Sequence, residues 1–235
     1  MSLQAQLNQL KGRVADFLFP PHCLGCGREG DFLCIPCCRA LPRLLPPLCP
    51  KCSRPLIQED RCPICQRWRL EINGIRSPFL FQGVVRQAIH QLKYNNFKAL
   101  ASPLAQLLAE YVETRPLPVE VIVPVPLHPR RLRERGYNQS ALLARELGRL
   151  VSLPVVEDSL FRLRDTPAQV RAPNAEIRRS NVVGVFACRN EKLKGKQVIL
   201  IDDVCTTGAT LDSCAIALNR AGASSVWGLA LAREV

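Results

Sequence analysis

Four C-x2-C pairs crowd into one stretch of this 235-residue chain: Cys23/Cys26, Cys34/Cys37, Cys49/Cys52 and Cys62/Cys65. Nine of the twelve cysteines lie between Cys23 and Cys65, and the others (Cys188, Cys205, Cys214) are scattered. Two intervening residues let both sulfurs of a pair reach one ion about 2.3 Å away. Eight thiolates suffice for two closed tetrahedral sites, which implies structural zinc with no open position for water. Gly25, Gly27, Pro50 and Pro63 suit the tight turns that aim backbone amides at sulfur.

Sequential pairing is the simplest: Cys23, Cys26, Cys34 and Cys37 on one ion, Cys49, Cys52, Cys62 and Cys65 on the other. Interleaved pairing stays open, as does Cys38 in place of Cys37, and His22 reads as a bystander. Disulfides are the competing reading. The polar first sixteen residues, with Leu3, Leu7, Leu10 and Val14 on one helical face, do not read as a secretory signal. A dense cysteine cluster without such a signal favours metal and a cytoplasmic setting. About 45 residues bury little core, so metal binding is expected to supply the folding free energy of this front.

Behind the front the pattern changes. Hydrophobic residues are 47% and charged residues 22% of the chain, a globular composition. Apolar runs such as residues 226–232 are strand-sized, far short of the roughly 18 residues of a membrane span. Runs at 78–84, 120–125, 155–156, 181–187, 197–201 and 224–231 read as strands. Stretches 85–94, 101–114, 138–150 and 209–220 read as helices. Such alternation predicts an α/β fold, a mostly parallel sheet with helices on both faces, whose ligand sits at the carboxyl ends of the strands. The expected division is an amphipathic helix at 1–19, a double ribbon at 20–70 and the α/β domain at 71–235. Lys plus Arg exceed Asp plus Glu by 32 to 20, a net charge of +12 that favours polyanionic or phosphate-rich partners.

Two strand ends carry chemistry. After the apolar run 198–201 come Asp202 and Asp203, then Thr206, Thr207, Gly208, Ala209 and Thr210 before a helix. Loop amides and a helix N-terminus cradle an anion, Thr hydroxyls add donors, and the two acids can accept from sugar hydroxyls. After the run 120–125, residues 126–139 bring Arg130, Arg131, Arg133, Arg135 and Gly136, a basic loop whose guanidinium forks suit phosphate. A third polar, basic stretch at 162–182 is long for a loop.

The string from Val198 to Thr210 resembles the signature of type I phosphoribosyltransferases. The resemblance implies that Asp202 and Asp203 hold the ribose hydroxyls and residues 206–210 the 5′-phosphate. It also implies that the arginine loop binds pyrophosphate and that residues 162–182, with Arg171, form a lid. Cys205 falls at a variable position. Together with the cysteine pairs, the strings His90-Gln91-Leu92-Lys93-Tyr94, Pro124-Val125-Pro126-Leu127-His128-Pro129, Arg164-Asp165-Thr166-Pro167-Ala168-Gln169 and Asn181-Val182 resemble the ComF family of competence-associated proteins. That resemblance implies phosphoribosyl pyrophosphate with Mg2+ as ligand, other DNA-uptake proteins as partners, and a role in DNA uptake and natural transformation. Two alternatives stay open. One is a single-stranded DNA-binding module without turnover, which Lys93 and Tyr94 suit although aromatics are only 6%. The other is a base-salvage transferase, for which the sequence shows no acceptor pocket.

Overall fold

The computed structural model describes residues 20–56, 62–165 and 184–235. Chain contacts divide it into two units, Met1–Leu41 and Pro42–Val235. The expected helix at 1–19 lies outside the described residues.

The two ribbons are a structural repeat. Cys23 N–H donates to the Arg28 carbonyl and Gly27 N–H to the Cys23 carbonyl, both at 2.8 Å. Cys49 N–H donates to Arg54 and Ser53 N–H to Cys49, again at 2.8 Å. The second pair of each ribbon opens a one-turn helix, α1 (Ile35–Arg39) and α2 (Pro63–Arg67), with proline in its first turn. This turn needs a left-handed residue four places after the first cysteine. Gly27 has φ +74° without strain, whereas Ser53 has φ +56°, a conformation costly for a side chain. The Ser53 hydroxyl offsets that cost by donating to the Ile75 carbonyl at 2.8 Å.

The sulfurs assemble sequentially. Cys23, Cys26, Cys34 and Cys37 form one tetrad and Cys49, Cys52, Cys62 and Cys65 the other, all sulfurs in each lying within 4.8 Å of one another. Sulfur separations of 3.5 Å (Cys23–Cys34), 3.6 Å (Cys26–Cys34), 3.7 Å (Cys52–Cys62) and 3.8 Å (Cys49–Cys65) match the edge of about 3.8 Å of a tetrahedron with 2.3 Å zinc–sulfur bonds. Cys38 is outside the tetrad, its thiol directed to the Leu33 carbonyl. Thiolates this close repel one another. A hydrogen bond from Cys65, helped by the charge of Arg233 against the cost of burial, holds Cys52 down at about 4. The same hydrogen bond, followed by burial, pushes Cys65 far up. A dication lets all four ionise together, so the donor sets fit zinc.

The larger unit has a parallel sheet of order β1–β7–β6–β3. β6 (Gln197–Cys205) and β7 (Ser225–Arg233) are central, with Ile199 opposite Trp227. β3 (Val121–Pro124) pairs with β6, while β1 (Gly74–Arg76) and β2 (Phe79–Leu80) run along the other edge of β7. The helices are α3 (Gly83–Tyr94), α4 (Ala101–Thr114), α5 (Pro129–Arg135), α6 (Gln139–Val151) and α7 (Ala209–Arg220). Val198 and Leu200 of β6 pack with Leu211, Cys214 and Leu218 of α7. Ile199 and Ile201, on the opposite face by strand alternation, are also buried. Both faces are therefore covered, as the unbroken apolar run predicted. β4 (Leu160–Arg162) and β5 (Phe186–Cys188) make a separate antiparallel pair.

The sequence reading missed β1, β4 and α5, ran the strand at 78–84 past β2 into the start of α3, and ended β6 at Ile201. Val155 makes only an isolated bridge to Ile122. Cys49, Cys52 and Cys62 share one apolar cluster with Ile75, Val198, Cys205 and Leu211. The second ribbon therefore packs within the larger unit, Pro42–Val235.

Helix α6 lies close to the sheet at Gly148. A methyl there would sit 2.5 Å from Val155 Cγ2 and 2.9 Å from the Leu153 carbonyl oxygen. Alanine gains up to about 1 kcal/mol of helix propensity, whereas overpacking costs about 1–3 kcal/mol. The backbone carbonyl cannot swing away as a flexible side chain would, so the clash wins. Gly148→Ala is expected to lower the melting temperature by a few degrees in a thermal unfolding scan, although alanine is the better helix former.

Candidate functional site

A cleft of about 610 Å3 opens beyond the carboxyl ends of β3 and β6. Its lining includes Asp202, Asp203, Thr206 and Thr210 from β6 and the following loop, Arg131 and Arg135 from α5, and Ser140 from α6. Lys93, His90 and Tyr94 from α3 also line it, with Phe81, Arg86 and Arg162.

The acids are the floor. Asp202 Oδ1 accepts from Ser140 Oγ at 3.1 Å and from the Asp203 amide at 2.9 Å. Asp203 Oδ1 lies 2.8 Å from Lys93 Nζ, with the two side chains 4% and 20% exposed. The other oxygen, Asp203 Oδ2, is buried and makes no hydrogen bond among the described residues. Burial, followed by the charge of Asp203, pushes the Asp202 carboxyl up to about 7, with Lys93 pulling the other way. The floor therefore holds an acid near its titration point and an oxygen ready to accept.

α5 decides which arginines face the acids. Pro129 starts it, the His128 ring nitrogen accepts from the Arg130 amide at 3.3 Å, and Gly136 at φ +79° ends it. Helical phase groups residues four apart. Arg131 and Arg135 form the cleft face, and Arg135 lies 5.3 Å over the Tyr94 ring. Arg130 is on the other side, paired with Glu134 at 2.9 Å and reaching Asp165 at 3.7 Å; Arg133 is exposed. Neither Arg130 nor Arg133 lines the cleft.

In the loop, Thr207 Oγ1 accepts from the Ala209 amide at 3.3 Å and so is turned to its own backbone. Gly208 has φ +85°, and a Cβ there would lie 2.7 Å from Ile75 Cδ1, so conformation and space both call for glycine. Ala209 is buried in the first turn of α7. Residues 166–183, including Arg171 and most of the expected lid, lie outside the described residues.

Lys93, Ser140 and Arg162 were not among the expected site residues. Lys93 left a signal: it sits four residues after Ile89 on the face of α3 that buries Val85, Ile89 and Leu92. A lysine on a buried helical face implies an acidic partner. Ser140 left none, because only the sheet brings α6 to Asp202.

Two family models match the chain, a double zinc ribbon domain over residues 14–66 and a phosphoribosyl transferase domain over residues 132–232. Among curated relatives, Competence protein F of Haemophilus influenzae is 36% identical over 154 residues, covering 61% of this chain and 66% of that protein. Competence protein ComFC of Bacillus subtilis is 29% identical over 193 residues, covering 79% and 77%. The chain is similar to these competence proteins and joins a double zinc ribbon to a phosphoribosyl transferase domain. The DNA utilization protein YhgH of Escherichia coli K12 is 35% identical over 153 residues, 63% of this chain and 66% of that protein. The match thus spans just under two thirds of the length of two of these three relatives. Among solved structures, the glutamine phosphoribosylpyrophosphate amidotransferase of B. subtilis aligns with a TM-score of 0.38 at 19% identity, covering 55% of this chain and 26% of that one. Helix α3 with Lys93, His90 and Tyr94 falls in neither family model.

The raised Asp202 carboxyl has a consequence for stability. Its folded value, about 7, lies above the usual 3.8, so its stabilising contribution is complete below about pH 4 and is lost as pH rises through 7. Asp202→Asn removes the desolvated charge and keeps the size of the side chain. The variant is expected to melt higher than the parent at pH 8, by roughly 2–4 °C or more, with the gap narrowing at pH 5 and closing only below about pH 4. An equal gap at both values would show that the carboxyl does not titrate in this range.

Proposed function

We propose that this chain is a competence-associated phosphoribosyltransferase-like protein that binds phosphoribosyl pyrophosphate with Mg2+ in this cleft and works in DNA uptake and natural transformation. The observation that carries the reading is the buried, unpartnered Asp203 Oδ2 beside Asp202, facing a cleft with arginines on one side and the Thr206–Thr210 loop on the other. That oxygen fits a ribose hydroxyl or a water of a hydrated cation. Mg2+, when bound, neutralises phosphate charge and keeps several of its waters. Arg131 and Arg135 are placed to take the pyrophosphate by charge-assisted hydrogen bonds. Thr206, Thr210 and the loop amides take the 5′-phosphate. Lys93 pairs with Asp203 and fixes its position, so the floor is organised before the ligand arrives. The competence role is supported by the names of the relatives, and the cytoplasm is the setting we propose for it. No helix among the described residues is long and apolar enough to cross a membrane.

Calorimetry with phosphoribosyl pyrophosphate and Mg2+ tests the reading. Saturable binding is expected, lost in Asp202→Asn/Asp203→Asn. Arg131→Ala should weaken it tenfold or more, about 1.4 kcal/mol, and Arg133→Ala should leave it near the parent value. No binding by folded, zinc-loaded protein would overturn the proposal.

One observation favours single-stranded nucleic acid as a second ligand. Phe81 stacks on His90 at 6.2 Å, His90 lies 5.6 Å from Tyr94, and Arg86 sits 5.9 Å over Phe81. Tyr94 is 65% exposed. Aromatic rings with interleaved guanidinium groups suit unpaired bases and their phosphates. A homopolymeric oligonucleotide titrated at several salt concentrations is expected to bind less tightly as salt rises, and Tyr94→Ala to weaken binding.

A further inference from the structure

Arg233, the last residue of β7, is fully buried, and its bonds run in two directions. Its Nε donates to the Cys52 carbonyl at 2.9 Å, inside the second ribbon. Its Nη1 donates to the Thr206 carbonyl and to Cys205 Sγ, both at 3.1 Å. Arg54, two residues after Cys52, donates a further bond from Nη2 to the same Thr206 carbonyl at 3.1 Å. The first carbonyl of the phosphate loop is thus clamped by two guanidinium groups, one belonging to the ribbon and the other bonded to it.

A second path runs through β1. The Ile75 amide donates to the Lys51 carbonyl at 2.8 Å, and the Ile75 carbonyl accepts from Ser53 Oγ at 2.8 Å. Lys51 and Ser53 flank Cys52, so the ribbon holds Ile75 from both sides. The Ile75 side chain fills the space beside Gly208. Both ends of the tight turn, Thr206 and Gly208, therefore rest on residues 51–54. Those residues keep one geometry only while Cys49 and Cys52 are tied to Cys62 and Cys65. Four thiolates on a dication leave a net negative centre, and the buried guanidinium of Arg233 beside it supplies the opposing charge.

We propose that the second four-cysteine site is a positioning element of the phosphate loop: zinc there fixes residues 51–54, and through Arg54, Arg233 and Ile75 it holds the 206–210 turn in the form that takes a ribose 5-phosphate. The inference rests on the proposed role of that loop and extends it. Loss of zinc from this site lowers the cleft's affinity for the sugar-phosphate end of the ligand without touching the arginines of α5.

The experiment uses the full chain loaded with zinc and two probes, ribose 5-phosphate for the loop and inorganic pyrophosphate for the arginines. Arg54→Gln and Arg233→Lys are expected to keep both zinc ions, measured by release to a chromophoric chelator. They should lose tenfold or more in affinity for ribose 5-phosphate and keep their affinity for pyrophosphate. Cys65→Ser should lose one zinc and show the same selective loss. Amide hydrogen exchange across 205–210 should speed up in all three. Equal weakening of both probes would mean general loosening and would overturn the proposal. So would unchanged loop exchange in Cys65→Ser protein lacking one zinc. Where Cys65→Ser does not fold, the half-buried Arg54 still decides the matter. Parent protein that binds neither probe would sink the ligand reading alone, and loop exchange would still test the coupling.

Discussion

Asp202 and Asp203 set two like charges side by side where water reaches poorly, and the surrounding elements are arranged to offset that repulsion. Desolvating a carboxylate costs several kcal/mol unless it is paired or hydrogen-bonded. Here α3 contributes Lys93 to Asp203, α6 contributes Ser140 to Asp202, and the strand adds its own amide. Each contact fixes the position of the element that makes it. α6 starts where Asn138 accepts from the Ser140 amide and donates to the Val125 carbonyl at 2.9 Å, so the cap that begins the helix also joins it to the end of β3. The offset is incomplete, as the raised Asp202 carboxyl and the idle oxygen of Asp203 show. That remainder of unfavourable electrostatics is what the proposed cation or sugar hydroxyls would relieve.

The two ribbons show one backbone solution used twice with different side chains. The first turn relies on Gly27. The second carries Ser53 in the same left-handed conformation, held by a bond to β1. A residue that is strained locally and bonded remotely is more than a linker. Its conformation exists because the strand beside it exists, whereas Gly27 meets its own need.

How much of this was legible in the sequence follows the range of the interactions. The tetrads were legible because metal-ligand spacing is local, and the structure selects Cys37 over Cys38 and sequential over interleaved pairing. The parallel sheet was legible because strands covered on both faces are apolar throughout. The acidic pair and the Thr loop were legible as one string. The arginines were only half legible. Taken as a loop, all four seemed equivalent, but Pro129 to Arg135 is a helix, whose phase puts Arg131 and Arg135 on one face and Arg130 with Glu134 on another. Lys93 needed a partner 110 positions away, and the integration of the second ribbon needed Arg233, 181 positions beyond Cys52. Strand β1, three residues long, carries too little pattern to be read before its neighbour β7 is known.

The order β1–β7–β6–β3 has a consequence for how the molecule is made. β7 is the last of the described strands to leave the ribosome, yet it lies between β6 and the β1–β2 edge. Among the described strands no backbone pairing joins those two halves until residues 225–233 emerge, although side-chain contacts such as Lys93–Asp203 and Arg54–Thr206 lie outside β7. The cysteines of the second tetrad are synthesised early, but Arg233, which seats them, comes at the far end of that strand. A nascent chain can therefore gather its ribbons long before the complete sheet exists to set them against, and the sheet closes only when β7 arrives.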